Sequence, residues 1–434
     1  MAASRASRSG LGGGDQEGIP QKVAAILGLV LLSRLGVYVP VPGVDTEAFS
    51  EALKQGAGAL GYVDALTGGS ISRVSIFSLG IIPYINASIV FQLMASVIPS
   101  LKQLQREEGP QGRAKFKLYQ KLAALAFAFL QAFGQLNYCR PFVDDFSTQW
   151  LLENSFVLAA GAMCLTFIAD EIDKKKLGNG TSILIFANIV SALPSSLGST
   201  LAQVQERGDY GSLGVFGGAF LLTCLGIVYV QEAERKIPIN YANRFKAGAL
   251  ARSAYLPFKV NATGVMPVIF STSLLALPAT LSRFTTVPAL QEFAAAMSPA
   301  GSLYVPANVF FIVLFNYFYT FLQFEPKDVA DNLKKQGASL AGVRPGRQTA
   351  DFITDTLARM SVLGSVFLGV LASAPAVVEA FTDLQAFRGF AGTSVLILVG
   401  VATDSARKVR AEKIMEQYRD VEDFYSGGGG SRSS

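Results

Sequence analysis

The 434 residues contain no histidine. That removes the commonest general base and the commonest metal ligand. Cysteine is nearly as scarce: Cys139, Cys164 and Cys224 are scattered, without metal-type spacing, so neither a zinc or thiol site nor a disulfide framework is expected. No GxxxxGK[ST] phosphate loop is present either, so the chain carries no nucleotide-driven motor of its own. Charge is short as well. Only 16% of residues are charged, against roughly 25% in soluble domains. An intramembrane enzyme is poorly served, since the apolar runs hold no plausible catalytic pair. No cofactor or metal is expected.

What the chain does have is apolar sequence, at half of all residues. A hydrocarbon layer about 30 Å thick needs about 20 apolar helical residues to cross it. Ten runs approach that length, at roughly 20–40, 76–98, 118–138, 150–169, 181–200, 212–230, 260–281, 303–324, 357–378 and 387–403. Helices alone satisfy backbone groups in lipid at these lengths, so an all-α polytopic membrane protein is expected. Residues 1–19 and 416–434 are expected to be flexible ends. "MAASRASRSGLGGG" carries basic residues and no acid, and reads either as the tail of an organelle transit peptide or as a solvated terminus. "GGGGSRSS" reads as linker.

Basic residues are unevenly placed. Of the 37 Lys and Arg, 30 fall in the two termini and in the loops after runs 2, 4, 6 and 8, and six in the opposite loops. The positive-inside bias puts both termini on the cytosol-equivalent side. The remaining one, Arg34, lies near one end of the first run and is read as structural, snorkelling or paired.

Two runs contain the same interruption. "GIIP" at Gly80–Pro83 matches "GVMP" at Gly264–Pro267, each followed by an apolar stretch. They lie in the second span of runs 1–5 and the second of runs 6–10. Five is odd, so the halves 20–200 and 201–415 enter the membrane from opposite faces, the pattern of an inverted repeat with interrupted helices at its centre. A secondary transporter of a small solute is one reading of such a repeat. It normally carries mid-membrane carboxylates, and here they are missing. The central positions are aliphatic: Ile81 and Ile85 share a helix face, as do Ile185 and Ile189. Packing between helices accounts for such spacing; so does a hydrophobic constriction that excludes ions by dewetting.

Five segments in order carry a closer resemblance: "LTGGSISRVSIFSLGIIPYINASIVFQLM" (66–94), "GNGTSILIFANIV" (178–190), "LPFKVNATGVMPVIF" (256–270), "KDVADNLKKQGASLAGVRPGRQT" (327–349) and "FRGFAGTSVLIL" (387–398). Over about residues 20 to 415 the chain resembles SecY, the channel family of the Sec protein translocase. The resemblance implies ten transmembrane helices in two pseudo-symmetric five-helix halves, a short plug helix at about 64–78, and a lateral opening into lipid. It implies a pore ring of Ile81, Ile85, Ile185, Ile189, Ile269 and Ile397, able to yield around a polypeptide without binding it. Gly68, Gly69, Ser72, Arg73, Gly80 and Pro83 would form the plug and its hinge. Asn86, Gln92, Asn261 and Leu277 would lie at the lateral gate, where amides could hydrogen-bond across the closed interface at roughly 0.6–2 kcal/mol each. The basic loops 231–253 and 332–349, with Arg235, Lys236, Arg244 and Arg344, would dock the SecA ATPase or the ribosome. A SecE subunit, a YidC-type insertase, unfolded preproteins and signal sequences are the implied partners. The C-terminal segments "PAVVEAF" and "EQYRDVEDFYS" are most similar to plastid members. That implies a chloroplast thylakoid membrane with the basic loops and both termini in stroma, a cyanobacterial or other bacterial membrane being the next reading.

Overall fold

The computed structural model describes residues 18–55, 67–106, 109–208, 210–241, 254–261, 263–281, 288–297, 301–340, 342–382 and 392–427. Each of the ten apolar runs falls on a helix. In the first half these are α1 (Ile19–Leu35), α3 (Ile82–Val97), α5 (Gly109–Tyr138), α6 (Thr148–Lys174) and α7 (Gly180–Arg207). In the second they are α8 (Tyr210–Glu232), α9 (Met266–Leu281), α11 (Tyr304–Gln323), α13 (Arg347–Thr382) and α14 (Gly392–Gly427). Shorter helices lie between them: α2 (Thr46–Gln55), α4 (Pro99–Arg106), α10 (Pro288–Ala296) and α12 (Pro326–Lys335).

Local chemistry sets several of these boundaries. The Ser147 side chain accepts from Trp150 N and starts α6; the Asn179 side chain accepts from Ser182 N and starts α7. Such caps satisfy donors that a helix start leaves free. Gly208, left-handed at φ 70°, ends α7. After α3 the chain bends by 112° into α4 at Pro99, since a proline there cannot continue the hydrogen-bond ladder. Among the described residues, Ile19–Tyr38, Thr148–Lys174, Tyr304–Lys335 and Arg347–Ala374 are each long and apolar enough to cross a membrane alone. Leu27, Phe167, Leu222, Leu225 and Val366 are all more than half exposed. So broad an outward apolar surface suits lipid rather than water.

The all-α membrane class holds, and three details depart from the expected outline. The chain is not purely helical outside the runs: β1 (Glu234–Tyr241), β2 (Ala254–Lys259) and β3 (Ala338–Leu340) form an antiparallel sheet in the order β2-β1-β3. The loops after runs 6 and 8 therefore meet, with Ile239 opposite Leu340. Alternation explains it: Ile237 and Ile239 point inward onto Leu333, Ile353 and Leu357, while Lys236 and Asn240 stay exposed.

The expected plug helix is the second. Residues 64–66 lie outside the described residues, and from Gly68 to Ile81 the chain runs almost entirely in consecutive turns. Gly68, Gly69, Val74 and Gly80 all have positive φ, which a right-handed helix cannot hold. Third, residues 416–427, expected as a flexible tail, continue α14. Glu416, Gln417, Arg419 and Glu422 are good helix formers and favour that continuation. The Lys22 ammonium, 2.6 Å from Glu412, ties this extension to the start of α1.

Candidate functional site

The Gly-x-x-Pro repeat is a helix start, used twice. Gly80 (φ 59°) and Gly264 (φ 66°) are both left-handed, and in each case the helix begins two residues later with proline as its second residue. The prolines thus sit in the first turn, where a missing N–H is harmless, and not inside a helix as the sequence suggested. Both helices are 16 residues long. Glycine is required because a side chain in the left-handed region is strained.

That shared start puts Ile85 and Ile269 at equivalent places, each the fourth residue of its helix. The two helices pack against each other, and both isoleucines line two cavities at once. On the basic side lies a cavity of about 350 Å³, lined by polar groups that include Ser88, Gln92, Arg113, Lys117, Gln120 and Asp173. On the other side is a cavity of only about 30 Å³, lined by Ile81, Ile85, Ile185, Ile269 and Ile397 together with Thr67 and Asn188. A space that small holds about one water. Five of the six expected ring residues thus converge. The sixth, Ile189, is 2% exposed in the same core but outside the lining. Full burial of each such side chain stabilises by about 1.5–3 kcal/mol, so the constriction favours its own closure.

The turns at 67–81 fill the space beyond. Ser70, Ser75 and Ser78 are fully buried. Ser72 Oγ donates to the Gly69 carbonyl at 3.1 Å, and the Arg73 guanidinium lies 4.3 Å from the centre of the Tyr38 ring.

The amides expected to bond across the gate do not do so. Asn261 Nδ2 donates to the Gly264 carbonyl at 3.0 Å, tying down the turn that starts α9. Gln92 Nε2 reaches Ser88 Oγ on its own helix at 3.4 Å. Asn86 is buried, and its Oδ1 has no hydrogen-bond partner among the described residues. Leu277 is half-buried on α9. Asn261 and Gln92 are thus engaged within a few residues of their own positions. A pair that sequence reasoning missed is Gln120 on α5, whose Nε2 donates to Ser88 Oγ at 2.6 Å; a glutamine at the start of an apolar run was the available signal.

A second missed signal is another repeat. "GTSILI" (180–185) opens α7 and "GTSVLI" (392–397) opens α14. Ile185 and Ile397 are therefore equivalent too.

On the basic face, Arg235 and Lys236 are exposed on β1; Lys236 lies 3.3 Å from Glu234 and 4.9 Å from the Tyr255 ring centre. Arg344 is exposed in the turn before α13, its carbonyl accepting from Thr349 Oγ1 at 2.9 Å. Arg244 lies outside the described residues. On β2, burial pulls the Lys259 ammonium below its ordinary value, and nearby Arg407 adds to the effect.

The family model for SecY matches residues 75–406. The chain is 56% identical to the chloroplastic preprotein translocase subunit SCY1 of Arabidopsis thaliana, over 94% of this chain and 74% of that protein. It is 40% identical to the protein translocase subunit SecY of Synechococcus elongatus, over 93% and 94% respectively. Among solved structures it superposes on a protein-conducting channel with a TM-score of 0.67 at 17% identity, covering 93% of this chain and 95% of that one. Sec61 from the canine ribosome-channel complex gives 0.64 at the same identity, with the same coverage. At such identity these two show the fold.

Proposed function

The chain belongs to the SecY family, and from that premise we propose that it is the protein-conducting channel subunit of a plastid translocase, passing unfolded preproteins through the isoleucine waist and releasing signal helices sideways between α3 and α9. One observation carries this reading. Five isoleucines from four helices of both halves close around a space of about 30 Å³, below a polar cavity more than ten times larger. A wide polar entrance leading to a dry constriction admits a chain and holds back ions. A coupled solute transporter would need ionisable groups at that point; the polar side chains lining the waist beside its isoleucines are the uncharged Thr67, Asn188, Thr272 and Ser273.

Its membrane is the plastid's, and within the plastid we place it in the thylakoid, with the β-sheet, α14 and both termini in stroma. The plastid relatives support the first statement; the loop-charge bias supports the orientation. The sheet formed by β1, β2 and β3, with Arg235, Lys236 and Arg344 on exposed positions, is the docking face for a SecA-type motor or a ribosome. A SecE-type subunit clasps the outside, and a YidC-type insertase receives helices at the lateral opening. The ribosome-bound state of the Sec61 relative supports the docking assignment.

The decisive test is Ile81→Asn in reconstituted vesicles. Resting ion leakage should rise, and preproteins with weakened signal sequences should pass. Parental leakage and parental stringency in a folded variant would remove the waist from the mechanism.

A further inference from the structure

Arg34 stands in the last turn of α1, and its guanidinium makes two hydrogen bonds to other parts of the chain. Nη1 donates to Asn188 Oδ1 at 2.9 Å, and Nη2 donates to the carbonyl oxygen of Gly68, also at 2.9 Å. Asn188 lies on α7 next to Ile189 and itself lines the small waist cavity; so does Thr67, the neighbour of Gly68. Three elements therefore meet at one side chain: α1, the helix that carries Ile185 and Ile189, and the tip of the 67–81 turns. The fit is close. Gly68 is left-handed at φ 73°, and a Cβ there would come within 2.3 Å of Arg34 Nη1.

The far part of the same turns is held differently. Ile76 N donates to the Val39 carbonyl at 3.0 Å, and Val41 N to the Val74 carbonyl at 2.9 Å. These backbone bonds weld residues 74–76 to the segment after α1. At the tip, Arg34 contributes a side-chain grip on a carbonyl, which can let go without breaking a ladder.

We propose that Arg34 is a latch: its fork on Gly68, oriented by Asn188, keeps the turns seated beneath the waist at rest and releases them when α7 moves outward. This rests on the channel reading. Asn188 shares a helix with two waist isoleucines, so widening the waist draws Asn188 away from Arg34 and loosens the grip. A planar fork is needed because it meets two acceptors at a fixed angle, which a lysine ammonium on a flexible stem does not.

The test is resting ion conductance of the complete protein in planar bilayers, with thermal unfolding in detergent to confirm that each variant is folded. Arg34→Gln should raise conductance by roughly tenfold, the population shift expected when one charge-assisted bond is lost. Arg34→Lys should fall between it and the parent. Asn188→Ala should leak less than Arg34→Gln, and the double variant no more than Arg34→Gln alone, because Asn188 acts through Arg34. Parental conductance in folded Arg34→Gln, or additive leakage in the double variant, overturns the latch. Should Arg34→Gln not fold, Asn188→Ala decides: a parental reading rejects the proposal. Ile81→Asn is measured alongside. A leak there with a tight Arg34→Gln sinks the latch and spares the channel, whereas no leak in either rejects the channel.

Discussion

The two halves of the molecule share a plan and differ in what precedes it. In both, a left-handed glycine leads into a 16-residue helix whose fourth residue is a waist isoleucine, Ile85 in one and Ile269 in the other. In both, a helix opening on Gly-Thr-Ser supplies another, Ile185 and Ile397. The pairing extends further: the positions of Ile81 and Ile189 are taken in the second half by Val265 and Val401, both buried in the same core. What enters the shared motif is different. In the first half the buried turns 67–80 arrive under the waist. In the second, Gly264 follows β2 and the basic sheet. Repetition therefore makes the constriction, and the unlike lead-ins give one half buried turns beneath it and the other a basic sheet.

That contrast can be broken experimentally, most drastically at the line where the halves meet. Cysteines at Asn86 on α3 and Leu277 on α9 should crosslink and abolish preprotein transport, with transport restored by reductant; undiminished transport by a fully crosslinked sample would end the idea of lateral opening there. The next largest effect belongs to the sheet. Arg344→Glu should lower motor-stimulated translocation by about tenfold, the scale expected for reversing one docking charge, while resting conductance stays parental. Gly80→Ala and Gly264→Ala sharpen the comparison itself. Each forces a side chain into the left-handed region at about 1–2 kcal/mol, visible as a lower unfolding temperature. Only Gly80→Ala also crowds a neighbour, Thr67 Cγ2 at 3.2 Å, whereas Gly264 faces open space. Leakage should therefore accompany the first and not the second.

The smallest expected effect is on β2. Burial lowers the Lys259 value, so the unfolded chain binds its proton more tightly than the folded one. Stability from this group is present above its unfolded value near 10.5 and is lost as pH falls through the folded value. Lys259→Met should raise the unfolding temperature at pH 7 by about 1–3 °C, and the gain should shrink as pH approaches 10.5. A gain that is constant with pH would assign the effect to packing instead.

Much of this was legible beforehand. Apolar length marked a helix at each of the ten runs, because a membrane demands such runs of any sequence that crosses it. The Gly-x-x-Pro repeat revealed the inverted halves, though it looked like a break inside a helix. Its true role depends on φ at Gly80 and Gly264, which sequence does not state. The basic loops were visible as charge, but their union into a sheet was not: β1 and β3 are about a hundred residues apart, and short-range alternation does not name a distant partner. The plug stretch was read as helix, and Val74 shows why that failed. A β-branched residue at φ 43° is held there by its surroundings, against its own preference. The gate amides failed for a related reason. Asn261 found the carbonyl of Gly264 three residues away, and a local acceptor outcompeted one across the interface.

By itself, then, the sequence determined an integral membrane protein built twice over, with aliphatic residues at the places a polar solute would need polar ones, because lipid thickness and the absence of buried charge leave little choice. Only the tertiary structure decided that four helices bring five isoleucines to one point, and that Arg34 reaches Gly68 and Asn188 beside them. Those convergences join residues up to about three hundred positions apart, and nothing but packing of the whole chain brings such distant side chains into contact.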